Sequence, residues 1–396
     1  MNSSISNSRK IYSKICLGLL ALFIAAMGLI HFIVYLHGAN ASDFLGRVFE
    51  SKAALPKIVK EEKDLVLMFG SSMTQAGFSP RQFDRLVNAE GKNIKSFNYG
   101  FGGLNPFFQD YLSRRIADEF IANDRQLKLA IIEFNPFQTT KTRWAGAIGS
   151  IDSYLTILAS DEELWEIAKA EPERGALLYN IKYLRRHISA QLITSYYGRG
   201  LFPRARRERL EEPKALIDAR REAGRELTEL FAKEYPDFDD SDWYYPWQGG
   251  GTIPEERSAR TLEVFKEYYA TFQHENMKEN YRQNRIASAD IEGLNFEPLL
   301  IESFIQIVKN FQQFSDKVEV VMLPRGHQWI KYSPEAQARL DATIKQIEAA
   351  TGITIRNHQL IPEITPEMFS DVTHLARYSG DVAYTNYLVK QYKDQL

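Results

Sequence analysis

Three short apolar runs, each closing on a glycine or an asparagine, limit the architectures open to this chain. They are Asp64 to Phe69 (DLVLMF) before Gly70, Ile94 to Tyr99 before Gly100, and Leu127 to Phe134 (LKLAIIEF) before Asn135. Runs of this length, largely apolar without strict alternation, suit strands buried on both faces of a parallel sheet. After the first run, Ser79-Pro80 opens a pattern that puts Phe83, Leu86 and Val87 on one helical face; Asn105 to Ile121 reads as a helix after the second. Strand, helix, strand, helix, strand predicts an α/β fold built on a parallel sheet.

The alternation then stops and resumes. Over residues 141–294 the strand signal disappears and charged segments dominate, such as Pro203 to Tyr235, which read as exposed helices laced by i,i+4 pairs. Beyond them Pro298 to Phe314 is a helix, Lys317 to Leu323 (KVEVVML) a fourth strand, Ser333 to Thr351 a helix, Ile353 to Asn357 a fifth strand and Ser379 to Gln395 the last helix. The expected plan is a first α/β part at 61–140, a mostly helical insertion at 141–294, and a second α/β part at 295–396.

Upstream, Ile15 to Leu36 is an apolar run without Asp, Glu, Lys or Arg. As a helix it would be about 33 Å long, enough for a bilayer core of about 30 Å. Arg9, Lys10 and Lys14 precede it, so the positive-inside bias predicts a short cytoplasmic tail at 1–14, a signal anchor at 15–36, a linker at 37–60 and an exported body. Ala39-Asn40-Ala41 offers the alternative of cleavage near Ala41 and secretion. Lys plus Arg number 49 and Asp plus Glu 51, which argues against a nucleic-acid partner. The single Cys16 excludes an internal disulfide, and seven scattered His without an HExxH pattern speak against a zinc centre. Neither a metal nor a cofactor is expected.

In open α/β sheets ligands bind at the carboxyl ends of the strands. Three of those ends carry candidate groups: Gly70-Ser71-Ser72-Met73-Thr74, Asn98-Tyr99-Gly100-Phe101-Gly102-Gly103, and Phe134-Asn135-Pro136. A serine at a tight strand-to-helix turn is exposed for attack, and a glycine lets a backbone N–H approach substrate. Near the C-terminus, Asp371-Val372-Thr373-His374 supplies a base and its orienting carboxylate, which a serine needs because its hydroxyl is inert at neutral pH. Each motif also has a plain reading. Ser71 or Ser72 can cap a helix, Gly100 to Gly103 can be a turn, and Asn135 before Pro136 can be a turn former.

With these blocks in this order, the sequence resembles the SGNH (GDSL-like) hydrolase superfamily over roughly residues 60–140 and 295–396. Phe69-Gly70-Ser71-Ser72-Met73-Thr74-Gln75 is similar to the family's nucleophile block, with Ser71 where the family often has Asp. Asn98-Tyr99-Gly100 with Gly103 is similar to the second block, Phe134-Asn135 to the third, and Asp371 with His374 to the last. The third block departs most: Glu133 replaces the usual Gly and Pro136 the usual Asp. Gly380 also stands six residues after His374 rather than five. The resemblance implies a three-layer, flavodoxin-like SGNH sandwich with Ser72 as nucleophile, His374 as base and Asp371 as its orienter. It implies an oxyanion hole from the N–H groups of Ser72 and Gly100 and the Asn135 amide.

Among such proteins, the membrane-anchored DltD-like branch, partners of membrane-bound O-acyltransferases, looks closest. That implies a bacterial inner-membrane protein with a periplasmic serine acyltransferase or esterase body, acting on O-acyl groups of a cell-envelope polysaccharide, with a membrane-bound acyltransferase as partner. A plain esterase or lipase, or a non-catalytic scaffold, are the alternatives. Trp243 and Trp247 are candidates to stack on sugar rings or to form a packing cluster. His327 after the fourth strand, and Arg143 past the third, are candidates to meet substrate or to play structural parts.

Overall fold

The computed structural model describes residues 2–37, 43–184, 212–234, 252–289 and 292–396. Five strands form one all-parallel sheet: β1 (Asp64–Ser71), β2 (Ile94–Phe101), β3 (Leu127–Glu133), β4 (Val318–Met322) and β5 (Ile355–Asn357). Their order is β2-β1-β3-β4-β5. The chain leaves β1 toward one edge and returns to its other side at β3. The crevice that forms at such a reversal of strand order is where open α/β sheets bind ligands. The ends of β1 and β3 therefore matter most.

The apolar runs become strands because both faces are covered. Val66 and Met68 meet Ile131, Val321, Phe83, Val87, Tyr384 and Leu388 on one side, under helices Pro80–Asn88 and Gly380–Tyr392. On the other side the Phe69 and Phe311 ring centroids are 5.1 Å apart, and Phe134 meets Phe304 at 5.0 Å, under helix Pro298–Gln312. Truncating a buried side chain such as Leu67, which is fully inaccessible, to alanine would cost about 2–5 kcal/mol. The expected strands and helices of the α/β body form, with ends shifted by a few residues: β1 and β2 run two residues further and β5 begins at Ile355 instead of Ile353. Of the helices expected over Pro203 to Tyr235, residues 203–211 and 235 lie outside the described residues.

The long insertion leaves and rejoins the sheet at adjacent points. Thr140 and Phe296 form an antiparallel bridge, Lys141 N–H donates to Asn295 C=O at 2.8 Å, and Glu297 N–H donates to Thr139 C=O at 2.8 Å. Residues between these points divide among two compact units. One comprises Met1–Phe49 and Gly149–Ala205, the other Glu50–Ile148 and Arg206–Leu396. In the first, helices Ile151–Leu158, Asp161–Ala170 and Pro172–Tyr179 follow one another; Ser160 and Glu163 close a capping box, and Arg174 pairs with Asp152 at 3.0 Å. In the second, helix Lys214–Glu234 is charged as the sequence suggested. It carries Arg225 paired with Glu222, and its Glu226 pairs with Arg260 of helix Ala259–Ala270 at 2.7 Å.

Asn2–His37 is one helix, and its stretch Ile11–Leu29 is long and apolar enough to cross a membrane, with a mean hydropathy of 1.9. Leu17, Leu22 and Ile24 on it are exposed, as a lipid-facing surface requires. Within the segment expected to be a linker, Asp43–Ile58 is helical. The candidate cleavage site at Ala39 to Ala41 lies outside the described residues.

Candidate active site

The turn at the end of β1 separates two adjacent serines. Ser71 is the N-cap of the short helix Ser72–Gly77, and its Oγ accepts the Met73 N–H at 3.2 Å. That satisfies one orphan donor of the helix start and uses the first serine as the plain capping reading expects. Ser72, the first helical residue, points elsewhere: its Oγ lies 2.8 Å from His374 Nε2. His374 Nδ1 in turn lies 2.8 Å from Asp371 Oδ2. Residues 302 positions apart thus join in one hydrogen-bonded chain of hydroxyl, imidazole and carboxylate.

The Asp-x-x-His loop is held by its own acid. Asp371 Oδ1 accepts the N–H groups of Thr373 at 2.7 Å and His374 at 2.9 Å, and the Thr373 hydroxyl at 2.9 Å. Ser370 N–H donates to His374 C=O at 2.9 Å, closing the loop beneath them. Burial alone would push the Asp371 carboxyl up. His374, by charge and by hydrogen bond, and the two backbone N–H groups outweigh burial and hold it below the ordinary carboxylate range. An ionised acid in that place fixes the imidazole orientation and stabilises the imidazolium that forms when the base takes a proton.

Two of the three groups expected to hold an oxyanion, the Gly100 N–H and the Asn135 amide, donate to neighbours within the protein. Gly100 N–H donates to Asn98 Oδ1 at 3.0 Å. A Cβ at Gly100 would collide with the Gln75 backbone N and stand 2.8 Å from Ser71 C=O, so glycine there lets helix Ser72–Gly77 lie against β2. Asn98 Nδ2 holds the same helix through Thr74 C=O at 3.0 Å and Phe78 C=O at 2.8 Å. In the turn after β2, a Cβ at Gly102 would stand 3.6 Å from Ser72 Cβ. Asn135 caps the 3-10 turn Pro136–Thr139, accepting Phe137 N–H at 3.1 Å, as the turn-former reading expects. Its Nδ2 donates to Ser71 Oγ at 3.1 Å and Glu133 Oε1 at 2.9 Å, and its Oδ1 accepts from Arg325 at 3.1 Å.

Of the outlying candidates, Arg143 donates to Gln138 at 2.7 Å and to Gly103 C=O at 3.2 Å, bracing the Gly-rich turn. His327 is exposed on the turn after β4, apart from the hydrogen-bonded chain of Ser72, His374 and Asp371. Trp243 and Trp247 lie outside the described residues. Among the described residues no three His, Cys, Asp or Glu side chains converge as a metal-ligand group.

Several site residues escape sequence reasoning. Buried Glu133 accepts from Ser71, Thr74 and Asn135. Buried Arg325 lies with its Cζ 3.3 Å from the Phe137 ring centroid. Lys278, from helix Glu275–Ala289 of the insertion, is buried with its Nζ 4.1 Å from the Trp329 ring centroid and has no hydrogen-bond partner among the described residues. Burial pulls its pKa down to about 8, and the charge of Asp371 opposes that shift only in part. The only sequence signal was a charge ending an apolar run, at Glu133 and just past β4 at Arg325. Lys278 sits in a charged helix and gave none. Compared with known proteins, the chain matches no protein-family profile and no curated protein.

Proposed function

We propose that this protein is an SGNH-type serine acyltransferase or esterase, anchored in the bacterial inner membrane with its body outside the cytoplasm. In this reading it acts on O-acyl groups, acetyl foremost, of a cell-envelope polysaccharide, with a membrane-bound O-acyltransferase as partner. The observation that carries the catalytic part is the pair of 2.8 Å hydrogen bonds linking Ser72 to His374 and His374 to Asp371. The strand order and the position of Ser72 at the β1 end support the SGNH arrangement. The Ile11–Leu29 stretch, with Arg9 and Lys10 before it and Lys14 at its start, supports the anchor and its orientation.

His374 Nε2 takes the Ser72 Oγ proton as Oγ attacks the acyl carbon. The developing oxyanion is held by the Ser72 N–H and by donors of the Gly-rich turn. His374 then gives the proton to the departing alkoxide, leaving an acyl-Ser72 ester. Water, or a glycan hydroxyl that yields its proton to His374, takes the acyl group and restores Ser72.

The test is intact mass of the full-length protein in detergent after exposure to an activated acetyl ester. An adduct of about +42 Da on the native chain, absent from Ser72→Ala, is the expected result. An adduct of equal yield on Ser72→Ala, or none on either chain, would defeat the assignment. Free acetate released without added glycan would mark an esterase; transfer to a glycan hydroxyl would mark a transferase.

A further inference from the structure

The two places where this chain departs from the resembled blocks at the nucleophile are in contact with one another. Ser71, standing where the family often has Asp, donates its hydroxyl to Glu133 Oε1 at 2.6 Å; Glu133 stands where the family usually has Gly. The pair ends two neighbouring strands, β1 and β3. The Glu133 carboxylate also accepts Ser71 N–H at 2.8 Å, Thr74 N–H at 3.1 Å, the Thr74 hydroxyl at 2.6 Å and Asn135 Nδ2 at 2.9 Å. Five donors therefore converge on one side chain that is 3% exposed, and four of the five belong to the turn that carries Ser72. Gly70 completes the fit, because a Cβ there would collide with the Glu133 carboxylate. A glutamate closing an otherwise apolar strand is costly to bury unless its acceptors are filled, and here they are filled by the turn itself.

We infer that Glu133 is the positioning residue of the nucleophile turn, and that the Ser71–Glu133 pair is a compensated exchange in which the turn's carboxylate is supplied from β3 rather than from position 71. Glu133 touches neither substrate nor Ser72 Oγ. It acts through the Ser71 and Thr74 N–H groups that set the direction of the Ser72 side chain. The pair predicts its own reversal. An aspartate at 71 would start where Ser71 Oγ already accepts Met73 N–H at 3.2 Å and Asn135 Nδ2 at 3.1 Å, so its carboxylate would face the same turn.

This inference rests on the reading of Ser72 as nucleophile, and the test separates the two. Full-length native protein, Glu133→Gln, Glu133→Gly and the double variant Ser71→Asp/Glu133→Gly are treated with a fluorophosphonate probe. Ser72 Oγ bonds to phosphorus, fluoride leaves, and the Oγ proton departs through His374. Failure of the native chain to be labelled at Ser72 would overturn the nucleophile assignment, and this inference with it. Given native labelling, Glu133→Gln and Glu133→Gly should lose about 10²-fold in the maximal labelling rate, as expected when a reacting group is displaced by about 1 Å. The probe concentration for half-maximal rate should stay put, a split that general loosening of the fold would not produce. The double variant should recover to within about tenfold of native. Native-rate labelling in Glu133→Gln would overturn the inference. So would a double variant that labels no faster than Glu133→Gly, or that fails to fold. If Glu133→Gly alone fails to fold while the double variant folds and is labelled, the exchange is supported directly.

Discussion

Ser72, His374 and Asp371 meet through two 2.8 Å hydrogen bonds, whereas Gly100 and Asn135 direct their N–H groups at Asn98, Ser71 and Glu133. The hydroxyl–imidazole–carboxylate side of the site is fully hydrogen-bonded. Of the three groups expected to stabilise negative charge, the Ser72 N–H, the Gly100 N–H and the Asn135 amide, the last two are spent on hydrogen bonds within the protein, to Asn98 and to Ser71 and Glu133. The difference has a physical origin. A relay of hydroxyl, imidazole and carboxylate satisfies itself, each group partnering the next. An oxyanion hole needs donors that stay unsatisfied until substrate arrives, and a buried unsatisfied donor costs about 1–3 kcal/mol. Asparagine side chains within reach of buried acceptors fill them.

The largest effect should fall on the relay. Asp371→Asn is expected to lower kcat by about 10⁴-fold with the fold intact, because the amide favours the wrong imidazole tautomer. Steady-state hydrolysis of an activated ester reads this; a loss below tenfold would mean that the relay, though assembled, is not the engine. On the other side, Asn135→Ala should chiefly reduce stability, by about 1–3 kcal/mol, since Glu133 and Arg325 would each lose a partner. Denaturant melts and kcat measured together decide the matter. A loss of about 10²–10³ in kcat with unchanged stability would make Asn135 an oxyanion donor after all and dissolve the contrast.

Lys278 offers a third test, at the edge of the relay. Its pKa is lowered to about 8 in the folded protein, so between pH 8 and 10.5 the unfolded chain binds more protons and stability rises with pH. Lys278→Met should therefore stabilise the protein near neutral pH, by something on the order of 1–3 kcal/mol. The gain should shrink as pH climbs through that window, a trend that melts from pH 7 to 11 would follow. Asp371 has the opposite sign. Its carboxyl is depressed by its partners, so its contribution is present above the unfolded value of about 3.9 and fades as pH falls below it. The smallest expected effect is a gap in stability between native protein and Asp371→Asn that narrows as pH falls below about 4. A gap independent of pH would mean that the carboxylate is not held ionised by His374.

Much of the fold was legible because its signals are local. Apolar runs such as DLVLMF and LKLAIIEF mark buried strands by themselves. Pro80 and Pro334 open their helices through a fixed dihedral, and Ser333 adds a side-chain cap to the second, all effects that need only near neighbours. The segment at 141–294 was read as a single insertion, yet its described helices divide between two compact units, a matter of contacts that charge patterning does not encode.

By itself, then, the sequence determined an α/β body of five strands, an apolar N-terminal helix long enough to span a membrane, and an inventory of Ser, Gly, Asn, Asp and His at the strand ends. Only the tertiary structure decided which serine caps and which faces the imidazole, since Ser71 and Ser72 are chemically identical and differ only in the direction the turn gives them. It alone brought Glu133 across 62 positions to Ser71, and aimed Asn135 at that carboxylate. It alone set Lys278 of the insertion against Trp329 beside the acid of the relay. Periodicity and capping are properties of neighbours in the chain. Hydrogen bonds between residues 62 to 302 positions apart depend on strand order and register, which exist only after the sheet has assembled.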